Sequence, residues 1–445
     1  MSAGEAASAA RVRSSYLAAP ARSVGGQVRI PGDKSISHRA LMLASIAQGR
    51  SRVSGFLDSE DCLATLGAMR ELQVRVERPD ATTVLIDGAG ATGLIAPNGD
   101  LDMGNAGTAM RLCMGLLAGQ RFTSRLVGDA SLSRRPMERV AAPLRTMGAR
   151  IDTTDGRPPV TVHGGASLRG IRYKLPVASA QVKSALLLAG LYAEGETLVI
   201  EPAPTRDHTE RMLRAFGVDV IQQGPAVHLT GPCRLTARDV AVPADFSSAA
   251  FFLVAGCLAE RGELRLEGIG MNPTRTGLLE ILRSMGARID VANPRVSGGE
   301  PIADLGVHPS ELRGVHVPRE LVPLAIDEFP VLFVAAACAK GETVVSGAEE
   351  LRVKETDRIA VMAEGLRALG ARVEVLPDGM RIEGGALSGG TIDSGGDHRV
   401  AMSFVVASLR ATGPIRILDT ANVATSFPGF VALARRAGLE IEERG

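Results

Sequence analysis

The chain repeats itself six times, and this period constrains the fold more than any other feature of the sequence. The phrases RTMGARID, RAFGVDV, RSMGARIDV, RALGARVEV and RRAGLEIE each set a glycine (Gly148, Gly217, Gly286, Gly370, Gly438) between a helical pattern and an alternating strand pattern. A weaker sixth copy, RELQVRVE, carries Gln73 in that place, and successive copies lie 68 to 84 residues apart. The spacing exceeds the roughly 20–50 residues of simple solenoid repeats, so each copy is a unit of several elements. Glycine belongs at the junction because a helix often ends on a left-handed residue, where a missing Cβ removes the steric penalty.

Upstream in each unit runs an almost unbroken apolar stretch, at 40–47, 112–118, 185–192, 249–259, 329–339 and 400–409. A helix that is apolar all round must be buried all round. The unit therefore reads helix, strand, amphipathic helix, strand or strands. Six buried helices cannot share one axis without leaving some exposed, so the expected architecture is two similar α/β domains, each a bundle of three helices wrapped by sheet. A length of 445 residues suits two domains, and a division near Pro243 follows the third unit.

Several function classes are disfavoured. Formal net charge is +1 and no block of like charges occurs, so neither nucleic acid nor a membrane surface is an expected partner. The longest apolar runs, 249–259 and 329–339, fall short of the ~20 residues of a membrane span. The five cysteines are scattered and the seven histidines lack metal-ligand spacing, which argues against a disulfide framework and a metal site. Neither a phosphate-binding P-loop nor a dinucleotide fingerprint is present, so no cofactor is expected. A cytoplasmic monomer is the default. Residues 1–26 read as a flexible tail, although an organelle transit peptide has similar composition.

Polar residues crowd the starts of the buried helices: 34–39, 105–108, 179–183, 245–248, 327–328 and 397–399. Asp245, Ser247 and Thr108 are accounted for as N-caps. Lysine and arginine are not. A cation at a helix N-terminus opposes the macrodipole, at a cost of a few tenths to ~1 kcal/mol, unless an anion arrives between them. Lys34, Arg39, Lys183 and Arg399 therefore suggest phosphate or carboxylate ligands, and Gly107 would let such a ligand approach the backbone. Two further basic clusters, 133–136 and 352–358, strengthen the reading, the second with Lys354 and Arg358 spaced for one helical face.

The phrases PGDKSISHRALMLA, GNAGTAMR, SRRPM, LPVASAQVKSALLLAGL, MNPTRTG, IDEFPVL, ELRVKETDRI, DHRVAMSF and ATSFPGF, in this order, resemble the 5-enolpyruvylshikimate-3-phosphate synthase family over 27–441. The Ala-Ser-Ala-Gln-Val-Lys form is similar to the bacterial class II subgroup, which includes glyphosate-tolerant members. The resemblance implies a two-domain inside-out α/β barrel of six βαβαββ repeats, with one domain over 32–243, the other from 27–31 plus 244–445, and an interdomain active site. It also implies transfer of an enolpyruvyl group from phosphoenolpyruvate to shikimate 3-phosphate. Carried over by position, Lys34, Ser35, Arg39, Ser179, Ala180, Gln181, Asp327 and Lys354 would hold shikimate 3-phosphate. Lys34, Asn105, Gly107, Arg135, Gln181, Arg358 and Arg399 would hold phosphoenolpyruvate. Asp327 would be the base, Glu355 the acid, and Lys34 a further catalytic group. Glu350 and Thr425 stand where the better-known pattern often has Asn and Lys, and take no role from it. Leu112 replaces a common Pro near Gly107, so intermediate sensitivity to glyphosate, a possible inhibitor, is expected. A related enolpyruvyl transferase, acting on UDP-N-acetylglucosamine, has a reactive cysteine where 128–136 has none.

Overall fold

The computed structural model describes residues 14–444. The six buried helices are Lys34–Ile46, Gly107–Ala118, Ala180–Gly190, Phe246–Leu258, Phe329–Ala337 and His398–Ala407. In Phe246–Leu258 every residue is buried, as an all-apolar helix demands. After each comes a strand and a second helix, followed in the first five units by a hairpin and in the sixth by the single strand Glu440–Arg444.

The junction between the second helix and the next strand follows one rule in all six units. Gly148, Gly217, Gly286, Gly370 and Gly438 have φ of 101°, 88°, 95°, 86° and 103°, and Gln73 takes the same left-handed turn at 63°. Three residues earlier, in the last helical turn, stands an arginine: Arg70, Arg145, Arg214, Arg283, Arg367 or Arg435. Its guanidinium donates to the carbonyl three residues past the turn, on Val76, Ile151, Val220, Ile289, Val373 or Ile441, at 2.7–3.2 Å. The cation meets the negative end of the helix dipole and ties the returning strand to the helix.

The strands form six separate sheets, and no closed barrel occurs among the described residues. The two-part, six-unit α/β architecture is as expected, with each sheet separate rather than part of one hydrogen-bonded cylinder; Leu235–Thr236 and Val240–Ala241, past the third unit, return to pair with Ala47–Ser54 of the first. Apolar residues gather into two cores, one drawn from 36–242 and the other from 16–30 plus 246–441.

The flexible-tail reading of 1–26 is corrected, over 14–26; residues 1–13 lie outside the described residues. Ser15–Ala19 inserts between Ile415–Leu418 and Glu440–Arg444, antiparallel to both, and buries Tyr16 and Ala18. It supplies the strand that the sixth unit lacks at its own C-terminal end. Gly26–Val28 then pairs in parallel with Leu264–Gly270 and serves the fourth unit.

Between the cores the chain crosses twice, near 31–33 and 243–245. The crossings pair with each other: Asp33 N–H donates to the Pro243 carbonyl (2.8 Å), and Asp245 N–H to that of Pro31 (2.9 Å). Gly32 sits where a Cβ would lie 1.8 Å from the Gly55 carbonyl oxygen, so no larger residue fits between the crossing and the first core.

Candidate active site

A cavity of about 490 Å³ opens between the two cores. Lys34, Gly107, Arg135, Ser179, Ala180 and Gln181 line it from the first; Asp327, Lys354, Glu355, Arg358 and Arg399 line it from the second. Helix starts explain the convergence. Lys34 and Arg358 each open a helix whose N-cap, Asp33 or Asp357, accepts a backbone N–H, while Ser179 and Asp397 cap two more.

At its centre stands Arg358, 1% exposed. Its Nη2 donates to Glu355 Oε2 (2.7 Å), its Nε to Asp397 Oδ2 (2.8 Å), and its Nη1 lies 3.4 Å from Asp327 Oδ1. Asp327 is further bound by Arg206 from the other core, by Lys354 at 3.5 Å, and through its carbonyl by Arg399 at 3.0 Å. Burial works to raise the Asp327 pKa, but Lys354, Arg206, Arg399 and Arg358 together outweigh it and hold the carboxyl well below the usual range. Glu355 shows the same balance: burial raises its pKa, and Arg358, Arg135 and Lys34 overcome this. Both carboxylates are ionised before any ligand arrives.

Arg135 bridges the cleft at 3.5 Å from Glu355, oriented by Asn105, whose Oδ1 accepts from Nη2 at 2.5 Å. Gln181 accepts from Arg111 (2.6 Å) and donates to Thr108 (2.9 Å), so both ends of its amide are fixed. Lys34 Nζ reaches Asp61 (2.8 Å) in its own core and Ser426 (2.7 Å) in the other.

Some sequence-derived candidates lie outside the cavity wall. Arg39 is buried behind it and donates to Thr209, Ser184 and the Ser35 carbonyl at 2.7–2.9 Å. Ser35 and Asn105 adjoin the wall without lining it. Lys183 is corrected outright: it is 1% exposed and locked between Glu201 (2.8 Å) and Glu210 (2.6 Å), a core ion triad that faces no ligand. Lys354 and Arg358 do not share a helical face, because the Asp357 cap starts the helix only at Arg358. Thr108 is no cap, since the helix begins at Gly107. Leu112 is wholly buried in the first core, and Thr425 binds the Asn422 carbonyl (2.7 Å).

Sequence reasoning missed Arg111, Arg139, Arg206 and Asp61, and gave no role to His398; all line the cavity. Burial, with Arg139 and Arg135 nearby, lowers the Arg111 pKa to about 9. His398 is held neutral by burial and by Lys34 and Arg399. Glu350 pairs with Arg139 across the cleft at 3.0 Å. Position gave a signal only for Arg111, one helical turn after Gly107, and for His398, beside Arg399. Among the described residues no group of three or more His, Cys, Asp or Glu could hold a metal, and no helix is long and apolar enough to cross a membrane.

The family described as EPSP synthase (3-phosphoshikimate 1-carboxyvinyltransferase) matches residues 19–433. The chain belongs to the EPSP synthase family. It is 58% identical over 428 residues to the 3-phosphoshikimate 1-carboxyvinyltransferase of Methylococcus capsulatus, covering 96% of this chain and 98% of that one. The enzyme of that name from Acidithiobacillus ferrooxidans is 59% identical over 427 residues, with 96% and 98% covered. A solved EPSP synthase of Acinetobacter baumannii superposes with a TM-score of 0.88 at 54% identity, over 97% of this chain and 100% of that one. The enolpyruvyl transferase NikO of Streptomyces tendae superposes with a TM-score of 0.78 over 97% of this chain and 99% of that one; at 20% identity it shares the fold alone.

Proposed function

We propose that the cleft transfers the enolpyruvyl group of phosphoenolpyruvate to the 5-hydroxyl of shikimate 3-phosphate and releases phosphate, the family's step toward chorismate and the aromatic amino acids. The observation that carries the assignment of roles is the pair of ionised carboxylates, Asp327 and Glu355, both held by Arg358 in a cavity otherwise rich in cations. Addition and elimination at an enol ether need one base, one acid and neutralisation of several anionic groups.

Asp327 takes the proton of the 5-hydroxyl as its oxygen bonds to C2 of phosphoenolpyruvate. Glu355 delivers a proton to C3, giving a tetrahedral intermediate with a methyl group. Glu355 then removes a methyl proton, the double bond re-forms, and phosphate departs with the proton that Asp327 took from the hydroxyl, which returns both carboxyl groups to their starting states. Glu355 must therefore be protonated when the reactants are bound, although the free cleft ionises it. The ligands supply the change: their phosphate and carboxylate groups occupy Arg135, Arg358 and Lys34, and the field that depressed the Glu355 pKa is neutralised.

Ser179, Ala180 and Gln181 take the shikimate phosphate, with Lys34 and Lys354 on the rest of that substrate, while Arg39, behind the wall, holds Ser35 at its edge through the Ser35 carbonyl. Arg135, Arg358 and Arg399 clamp phosphoenolpyruvate, beside Asn105, Gly107, Gln181 and Lys34. A Cβ on Gly107 would come within 3.0 Å of Arg135 Nη1, so the bare glycine keeps that guanidinium free for the donor or for glyphosate as a competing anion. The two cores act as domains that close on the ligands, and the enzyme works as a cytoplasmic monomer.

The test is phosphate release from phosphoenolpyruvate, with shikimate 3-phosphate or UDP-N-acetylglucosamine as acceptor. Release with shikimate 3-phosphate alone, reduced about 100-fold or more in Glu355→Gln, is expected. Release with neither acceptor would withdraw the function.

A further inference from the structure

The phrase MNPTRTG, residues 271–277, contributes nothing to the cavity wall, yet its Arg275 is 4% exposed and sits at the place where the chain crosses between the cores. We propose that Arg275 is the pin of the interdomain hinge, a positioning residue that keeps the two halves of the active site in catalytic register. Its Nη1 lies 3.0 Å from Asp33 Oδ2 and 3.4 Å from His208 Nε2. Its Nη2 donates to Ser247 Oγ at 2.6 Å and lies 3.3 Å from Asp245 Oδ1. Asp33 and Asp245 cap the first buried helix of the first and the second core, so one planar guanidinium grips both chain crossings.

Three hydrogen-bonded paths lead from this pin to groups in the cleft. Ser247 Oγ donates to the Glu328 carboxylate, which adjoins Asp327 in the chain and lies 4.0 Å from Arg399 Nη1. Asp33 precedes Lys34, whose own backbone N–H reaches Asp245 Oδ2 at 3.2 Å. His208 binds Glu300 (2.8 Å), Asn272 binds both Glu300 (3.0 Å) and Asp207 (2.6 Å), and Asp207 follows Arg206, the partner of Asp327 across the cleft. Cleft residues of both cores are thus indexed to one buried cation. A lysine keeps the charge but lacks the fork that reaches both caps at fixed angles.

The inference rests on the transfer and closure readings, and the test separates it from both. Arg275→Lys and Ser247→Ala are compared with wild type by thermal unfolding, by kcat and KM for each substrate, and by X-ray scattering with and without shikimate 3-phosphate plus glyphosate. Folded Arg275→Lys is expected to lose about tenfold or more in kcat, with KM for shikimate 3-phosphate changed less than about threefold, and to compact less than wild type. Ser247→Ala, which removes one Arg275 contact together with the path to Glu328, is expected to stay folded, to melt a few degrees below wild type, and to raise KM for phosphoenolpyruvate about threefold or more, because Glu328 becomes free to draw Arg399 away. A folded Arg275→Lys enzyme with wild-type kcat and compaction overturns the proposal. Should that variant fail to fold, wild-type kinetics in Ser247→Ala overturn it instead. Absence of phosphate release from wild type would indict the transfer reading and leave scattering to decide; absence of compaction in wild type would indict closure and leave kcat to decide.

Discussion

Arg358 shows how the site works at the scale of one residue, since a single buried guanidinium touches Asp327, Glu355 and Asp397 and holds the proposed acid in the wrong protonation state until substrate arrives. The sign follows from the geometry. Glu355 is depressed in the free enzyme, ligand anions neutralise the cations that depress it, and its pKa rises on binding. Forming the ternary complex with shikimate 3-phosphate and glyphosate should take up more protons, or release fewer, in wild type than in Glu355→Gln, measurable by calorimetry in buffers of different ionisation enthalpy, because the ligands' own phosphate groups contribute equally to both. No difference between the two would contradict this account. Arg399 and Arg358 stood out in the sequence because cations beside an apolar helix or in a basic cluster ask for an anion, whereas Asp327 and Glu355 drew their roles only from the family resemblance. Arg206 and Arg139 did not stand out, because a lone arginine on an amphipathic helix or loop looks like any solvated cation until the opposite core supplies Asp327 and Glu350.

At the scale of elements, the six junctions make the fold readable. A left-handed residue, an arginine three places before it and an acceptor carbonyl three places after it recur in every unit, and the sequence displays the first two directly. The conformational role of the glycine can be isolated at Gly217, where φ is 88° and a Cβ would meet nothing nearer than Thr236 Oγ1 at 4.0 Å. Gly217→Ala should cost about 1–2 kcal/mol from backbone strain alone. Gly67, inside the helix Glu60–Glu71 with open space around its Cα, is the matched control. Gly67→Ala should stabilise by about 0.5–1 kcal/mol. Chemical denaturation of both variants reads the two signs, and equal signs would contradict the assignment. Lys354 illustrates what the pattern hides: spacing alone suggested a helical face, but the Asp357 side chain bonds the Ala360 N–H and moves the helix start past it.

For the whole molecule, the decisive feature is that the second core is built from both ends of the described chain, 16–30 and 246–441, around a first core drawn from the continuous stretch 36–242. Ser15–Ala19 completes a sheet whose other strands begin almost 400 residues later, and a five-residue strand with so distant a partner leaves no local signature. Deleting residues 1–19 should expose the strands at 415–418 and 440–444 and lower the unfolding temperature of the second core by several degrees or more. An unchanged melting profile would contradict the observed pairing. The crossings at 31–33 and 243–245 have a similar consequence: they bring Lys34 and Arg135 from one core to Asp327, Glu355 and Arg358 from the other. The central claim, a proton passed to and from C3 by Glu355 in that shared cleft, is tested most directly by mass spectrometry of product formed in D2O. Deuterium should appear in the methylene of the transferred enolpyruvyl group, and its appearance should fall with turnover in Glu355→Gln; product accumulating without deuterium would contradict the account.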